Sequence, residues 1–346
     1  MTDLAGFLAR EIDRGCFPGG AALVGTSTAI VEAAEAGHAA LEPEIAPVSG
    51  DTLFDLASLT KPLCTGALAR IASRGGFDLA SAPGRYFPAW KKTRYDGITL
   101  EMLLTHTSGL PAWYPLYARG EGAEAYRSAL AEIEPKTRPG TAVVYSDLNF
   151  LLLGDILERH LSAALDASFA ALVAAPAGSG ARFLPPSAGA TAATEKGDRT
   201  EREMAAALGI SYPRFRDGVV RGEVHDGNAL RRGGVAGNAG LFGTARDVWT
   251  LARQWLVDDS PEFSSDRTPD LAEARGLAWQ GRRGAGSAVP EMSERSFGHT
   301  GFTGTSLWLD PEADRVFVLL TNRIHPEVRE GDFNEVRRRF HRAAAG

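Results

Sequence analysis

Strand-like runs occur only toward the two ends of this chain, with helical patterns between them, and that division limits the folds open to it. Ala21 to Gly25 and Ile30 to Ala34, separated by Ser27 and Thr28, read as a hairpin, and Thr52 to Leu56 as a further extended piece. Near the other end, Thr305 to Asp310 and Arg315 to Asn322 read as strands joined by the turn Pro311-Glu312-Ala313-Asp314. Leu4, Phe7, Leu8 and Ile12 predict an N-terminal helix that Thr2 can cap and Gly15 stops, and Phe333, Val336 and Phe340 predict a final one. From about Gly75 to Gly243 the patterns are helical: Leu100 to Thr105, Ala123 to Ile133, Leu148 to His160 and Leu161 to Ala175, broken by Pro and Gly clusters. The expected fold is therefore α/β, with one sheet completed by both chain ends (1–74 plus 244–346) and a mainly helical insertion (75–243). A length of 346 residues suits two such units.

Composition removes several function classes. No window approaches the roughly 18 apolar residues of a membrane span, and the start MTDLAGFLAREIDRG lacks the basic and apolar regions of a secretory signal, so a cytoplasmic location is expected. Cys16 and Cys64 form no C-x-x-C pair and read as small buried hydrophobes. A net charge of −6 without a basic run argues against nucleic acid or anionic lipid as partner. Of 37 basic residues only five are lysine, at 61, 91, 92, 136 and 196. G-x-S-x-G, H-E-x-x-H, G-K-[ST] and G-x-G-x-x-G are all absent. Neither cofactor nor metal is called for, and the expected partner is a small-molecule substrate.

What remains is Ser58-Leu59-Thr60-Lys61. Residues three apart share a helix face, so the Ser58 hydroxyl and Lys61 amine can meet. A partly desolvated lysine can be neutral enough to take a serine proton, which arginine cannot do. Pro62 forbids a regular helix reaching back before about Ser58 to Thr60, which puts Ser58 at a helix N-terminus where free N–H groups face a developing anion. Ser58 as a plain N-cap and Lys61 as a solvated first-turn residue is the competing reading. Tyr145-Ser146-Asp147 follows a Pro-Gly turn and precedes the helix Leu148 to His160. Tyr145 reads as a packed aromatic or as a proton shuttle whose pKa a lysine lowers, and Asp147 as a helix cap. His299-Thr300-Gly301, after Gly298, leads into the strand near Thr305 and offers a titratable donor, a hydroxyl and close backbone approach, or simply a surface turn.

In this order, S-x-x-K, Y-S-[ND] and [KH]-T-G resemble the motifs of the serine β-lactamase and penicillin-binding protein family. The similarity is greatest to its class C β-lactamase, D-alanyl-D-alanine carboxypeptidase and esterase branch. Leu103 to Leu110 and Gly233 to Phe242, the latter leading to a capping box at Thr244 and Asp247, add context, and the resemblance spans about residues 18–323. It implies an antiparallel sheet flanked by helices and a serine hydrolase working on an ester, amide or β-lactam through an acyl-enzyme. An acylated binding or sensor protein with little turnover is the alternative. The resemblance further implies Ser58 as nucleophile, Lys61 as its base, Tyr145 as proton relay, and an oxyanion hole from the N–H groups of Ser58 and Phe302, worth about 3 kcal/mol each. Asp147, His299, Thr300, Gly301 and Phe302 would contact substrate. Two positions depart from the pattern common in β-lactamases. Asp147 replaces an asparagine and cannot donate to a substrate carbonyl, and His299 replaces a lysine. The expectation is that carboxylate binding weakens as pH rises through the ordinary histidine range.

Overall fold

The structure, a computed structural model, describes residues 3–91, 95, 97–258, 261–329 and 331–345. Its strands are β1 (Gly19–Gly25), β2 (Ile30–Ala40), β3 (Ala46–Pro47), β4 (Phe54–Asp55), β5 (Arg182–Phe183), β6 (Leu241–Gly243), β7 (Gln280–Gly281), β8 (Phe297–Thr300), β9 (Ser306–Asp310) and β10 (Arg315–Thr321). Seven of them form an antiparallel sheet in the order β3-β2-β1-β10-β9-β8-β7. The pairing of β1 with β10, from Gly20 opposite Thr321 to Gly25 opposite Val316, joins the two ends of the chain in the middle of the sheet.

Period-two alternation explains why both faces are covered. Ala22 and Val24 of β1, with Phe317 and Leu319 of β10, face helix α1 (Leu4–Asp13) and the C-terminal helix Phe333–Ala345 through Leu4, Phe7, Leu8, Val336 and Phe340. The intervening residues Ala21, Leu23, Val316, Val318 and Leu320 face the larger core, which continues into the middle of the chain. Three helices organise that core: α2 (Ala67–Ser73), α3 (Leu100–Leu104) and α4 (Gly122–Glu132); the long α5 (Asp147–Leu161) runs beside them, buried from Leu148 to Leu157. Among the described residues no single helix is long and apolar enough to cross a membrane.

Several local expectations need correction. The cap predicted at Thr2 lies outside the described residues, and Asp3 accepts the Gly6 N–H to start α1. The extended piece at Thr52 to Leu56 shrinks to β4, which pairs with β6 in a separate three-stranded sheet, β4-β6-β5. The pattern Leu161 to Ala175 is broken, because Ser162 adopts a left-handed conformation (φ +54°) that ends α5 before a new helical segment at Leu165–Phe169. The helix expected from about Ser58 begins instead as a 3-10 turn, Ala57–Leu59, followed by a π-helical turn, Lys61–Gly66, and becomes regular only at Ala67. Pro62 has no N–H to give the Ser58 carbonyl, so the ladder is offset at this point.

Candidate active site

The chain reaches Ser58 through a constrained corner. Ala57 has φ +46°, a left-handed conformation that costs a residue with a Cβ, and its N–H donates to Asp55 Oδ1 at 2.8 Å. The other oxygen of this buried carboxylate accepts the His225 N–H at 2.8 Å. Burial pushes the Asp55 carboxyl up, against the two backbone donors. From the far side the turn between β8 and β9 grips the same segment: Thr303 Oγ1 donates to the Asp55 carbonyl at 2.8 Å and Thr305 Oγ1 to the Leu56 carbonyl at 3.2 Å. Gly301 has to be glycine here, since a Cβ would lie 2.1 Å from Thr305 Oγ1 and 2.9 Å from the Leu56 carbonyl. These contacts bring the Phe302 turn beside Ser58.

Ser58 Oγ accepts two hydrogen bonds, from Lys61 Nζ at 2.7 Å and from the Tyr145 hydroxyl at 2.8 Å. Lys61 is fully buried; its ammonium also donates to the Asn238 carbonyl at 3.1 Å and lies 2.6 Å from Asp147 Oδ1. Burial works to strip Lys61 of its proton, but the Asp147 carboxylate and the Tyr145 oxygen outweigh it and hold the pKa above its ordinary value. The neutral resting amine expected from the sequence is therefore replaced by an ammonium. Tyr145 is corrected likewise: burial raises its pKa despite the opposing pull of Lys61, so the phenol keeps its proton.

Asp147 is the first residue of α5, yet it is not the cap; Ser146 occupies that position. The segment is held by Ser146 Oγ to the Pro111 carbonyl (2.7 Å), by Asp147 N–H to the Ala112 carbonyl (2.9 Å) and by Ser146 N–H to His106 Nδ1 (3.0 Å). This frees the Asp147 side chain to meet Lys61. The His106 ring packs 4.6 Å from that of Tyr145, and burial next to Arg275 and Lys61 keeps His106 neutral, with a pKa well below its usual value.

His299, Thr300, Gly301 and Phe302 line the same cavity as Ser58, Tyr145 and Asp147, a space of about 490 Å³. His299 does not behave as the sequence suggested. It is 2% exposed, and burial, with Lys61 and Arg275 nearby, drives its pKa well below the ordinary histidine value. Its Nδ1 lies 2.9 Å from the Thr300 carbonyl and so carries the proton, leaving Nε2 as a buried acceptor without a partner. A neutral acceptor cannot hold a carboxylate, and the expected titration is withdrawn. The same cavity is lined by Arg337, which sequence reasoning missed. Arg337 is buried and donates to the Gly301 and Thr305 carbonyls at 2.7 and 3.1 Å and to Asn334 at 2.8 Å. No carboxylate lies within ion-pair distance of it among the described residues, and burial lowers its pKa to about 9. In the sequence it sits in the run Arg337-Arg338-Arg339, which gives no sign of which arginine turns inward. Asn238, His225, Asp226 and Trp113 were also missed as cavity residues, although Asn238 stands in a stretch already noted as context.

Among the described residues no group of three or more His, Cys, Asp or Glu side chains is arranged to hold a metal ion. The site's own groups can do nucleophilic chemistry: a serine oxygen, a buried proton-bearing pair behind it, a phenol beside it, and backbone N–H groups at a turn.

Comparison with known proteins agrees with this. The family described as Beta-lactamase matches residues 4–339. An N-acetylmuramyl-L-alanine amidase of Bacillus subtilis (strain 168) is 31% identical, over 93% of this chain and 83% of that protein. A protein named putative D-alanyl-D-alanine carboxypeptidase from Salmonella paratyphi B is 30% identical, over 80% of this chain and 71% of its own length. Among solved structures, EstCE1, a hydrolase with promiscuous acyltransferase activity, superposes with a TM-score of 0.75 at 20% identity, covering 99% and 97% of the two chains. A class C β-lactamase does so with 0.74 at 17% identity, covering 99% and 96%. These two share the fold.

Proposed function

Because the chain belongs to the β-lactamase family and is a serine hydrolase of that kind, we propose that it cleaves the amide bond of a short peptide-like substrate ending in a carboxylate, through an acyl-enzyme on Ser58. The observation that carries this reading is the pair of hydrogen bonds on Ser58 Oγ, from Lys61 and Tyr145, with Asp147 behind Lys61. Two further facts support the amide and the carboxylate. The two curated relatives described above carry an alanine amidase and a D-alanyl-D-alanine carboxypeptidase in their names, and Arg337 is a buried cation at the cavity wall with no carboxylate within ion-pair distance among the described residues.

An ammonium cannot accept a proton, so the base is the Lys61–Asp147 pair. As Ser58 Oγ attacks the carbonyl carbon, its proton passes to Lys61 Nζ while Lys61 gives one to Asp147. Charge on the former carbonyl oxygen is met by the N–H groups of Ser58 and Phe302. The C–N bond then breaks, and the proton taken from Ser58 returns through Tyr145 to the leaving nitrogen. Water attacks the acyl carbon in the second half, gives its proton to the same groups, and Ser58 is restored. Asp147 therefore serves as proton acceptor rather than as a grip on substrate.

The test is turnover of an N-acetylated D-alanyl-D-alanine peptide, a muramyl-L-alanine amide, a p-nitrophenyl ester and a chromogenic cephalosporin by the protein and by Ser58→Ala. Release of the alanine product, lost by at least about 10³-fold in the variant, is expected. Turnover of the cephalosporin alone, or activity that survives Ser58→Ala, contradicts the reading.

A further inference from the structure

Charges lining the cavity sort into pairs and two remainders. Lys61 pairs with Asp147 (2.6 Å), Arg275 with Glu273 (2.6 Å) and His225 with Glu195 (2.9 Å). Among the lining residues from the chain's C-terminal part, Arg323 and Arg337 have no carboxylate within ion-pair distance among the described residues, Asp332 acting on both only from further away. Among the lining residues from the middle of the chain, Glu201 and Asp226 have no cation within ion-pair distance among the described residues, while Asp55, which also lines the cavity, spends its two oxygens on the Ala57 and His225 N–H groups. Ser58 lies in the same cavity as both remainders.

The acidic side is more than two carboxylates. Asn238, 1% exposed, has a side-chain Oδ1 with no hydrogen-bond partner, and its side chain is hydrogen-bonded to Asp226. A buried acceptor left unpaired is costly, and a ligand donor would recover that cost. Asn238 is close to the chemistry, because its backbone carbonyl accepts from Lys61 Nζ at 3.1 Å. Asp226 Oδ1 accepts the Ala229 N–H at 2.7 Å, the Asn238 side chain bonds the same carboxylate, and burial raises its pKa to about 6. Glu201 spends both oxygens, on the Gly227 N–H (2.6 Å) and the Tyr117 hydroxyl (2.9 Å), and burial beside Asp226 raises its pKa to about 7, so it adds no contact and carries its full charge only with a cation nearby. The group that meets an unpaired acceptor beside two buried carboxylates that lack a cation within ion-pair distance is a cation with several N–H donors. A hydroxyl would satisfy the acceptors and leave the charge unmet.

We propose that this end of the cavity receives a free ammonium on the acyl half of the substrate, bound by Asp226 and Asn238 Oδ1 with Glu201 behind, so that with Arg337 the site selects a zwitterion of dipeptide size. The proposal rests on the reading of Ser58 as the acylated residue and Arg337 as the carboxylate site. It separates this chain from a relative named for an N-acetylated substrate.

Calorimetric titration of the Ser58→Ala protein with D-alanyl-D-alanine and with its N-acetyl derivative tests it without turnover. The free amine is expected to bind at least about 10-fold more tightly. Asp226→Asn in the same background keeps a residue able to cap at Ala229 while removing the charge, and is expected to bring the two affinities within about threefold. Glu201→Gln, a variant that keeps an acceptor for Gly227, is expected to reduce the preference in part. Equal affinities, tighter binding of the acetylated ligand, no binding of either, or a preference that survives Asp226→Asn overturns the proposal. Ester turnover by the Ser58 protein, measured separately, shows whether the hydrolase reading stands when this one fails.

Discussion

Helix α5 carries two aspartates, Asp147 at its start and Asp155 two turns further on, and each meets buried cations. Asp155 is 3% exposed and is held by the half-buried Arg232 and, at 3.2 Å, by the half-buried Arg127. Arg232 stands over the Tyr126 ring and Arg127 over that of Phe87, so the cluster ties ion pairs to packed aromatics away from the cavity. Asp147 meets a lysine instead, at the edge of a cavity, with a serine hydroxyl on the other side of the same ammonium. Arginine offers more fixed donors but keeps its proton, while lysine can pass one on. The difference teaches where this arginine-rich chain puts a lysine: the cluster around Asp155 uses arginines, and the pair proposed to move a proton uses one of five lysines.

Exchanging that chemistry gives the largest expected effect. Lys61→Arg keeps the charge beside Asp147 and removes the transferable proton, and we expect kcat/KM to fall by at least about 10³-fold, roughly 4 kcal/mol, with thermal stability little changed. Steady-state ester hydrolysis and a melting curve on the same sample check both halves. At the other aspartate the outcome reverses. Asp155→Asn leaves two cations facing a neutral group and is expected to cost about 3 kcal/mol in urea unfolding, while the folded fraction keeps its kcat.

Legibility in the sequence followed how local each signal was. Ser58, Lys61, Tyr145 and the His299-Thr300-Gly301 triplet were singled out by three short motifs whose order resembles a known family, each motif alone leaving a bland reading open. The end-to-end sheet was readable from period-two runs in β1, β2, β9 and β10. The sheet β4-β6-β5 was not, because strands of two or three residues show no periodicity. Arg337, Asp226 and Asn238 went unseen because only tertiary packing aims them at the cavity. The protonation of Lys61 was misjudged for the same reason, since it depends on which way Asp147 turns. His299 was misjudged because nothing beside it in the chain announces that it is buried.

A third buried polar group sharpens the contrast at the smallest scale. His341 is enclosed by Trp308, Phe317 and Phe340, with Nδ1 on the Ser287 carbonyl at 2.7 Å, and burial lowers its pKa to about 3. It is neutral in the fold, whereas the unfolded chain takes up a proton below about pH 6.5. Its contribution is therefore complete above that pH and is lost as pH falls toward 3. The expected slope is ~1 kcal/mol per pH unit in urea unfolding below pH 6, reduced by about that amount in His341→Gln.

The account turns on Ser58 receiving the acyl group. Mass analysis of protein quenched during turnover of a p-nitrophenyl ester, followed by peptide mapping, tests this most directly. An acyl adduct on the Ser58 peptide, absent from Ser58→Ala and strongly slowed in Lys61→Arg, is the predicted result. An adduct on another residue, or undiminished turnover by Ser58→Ala, would contradict it.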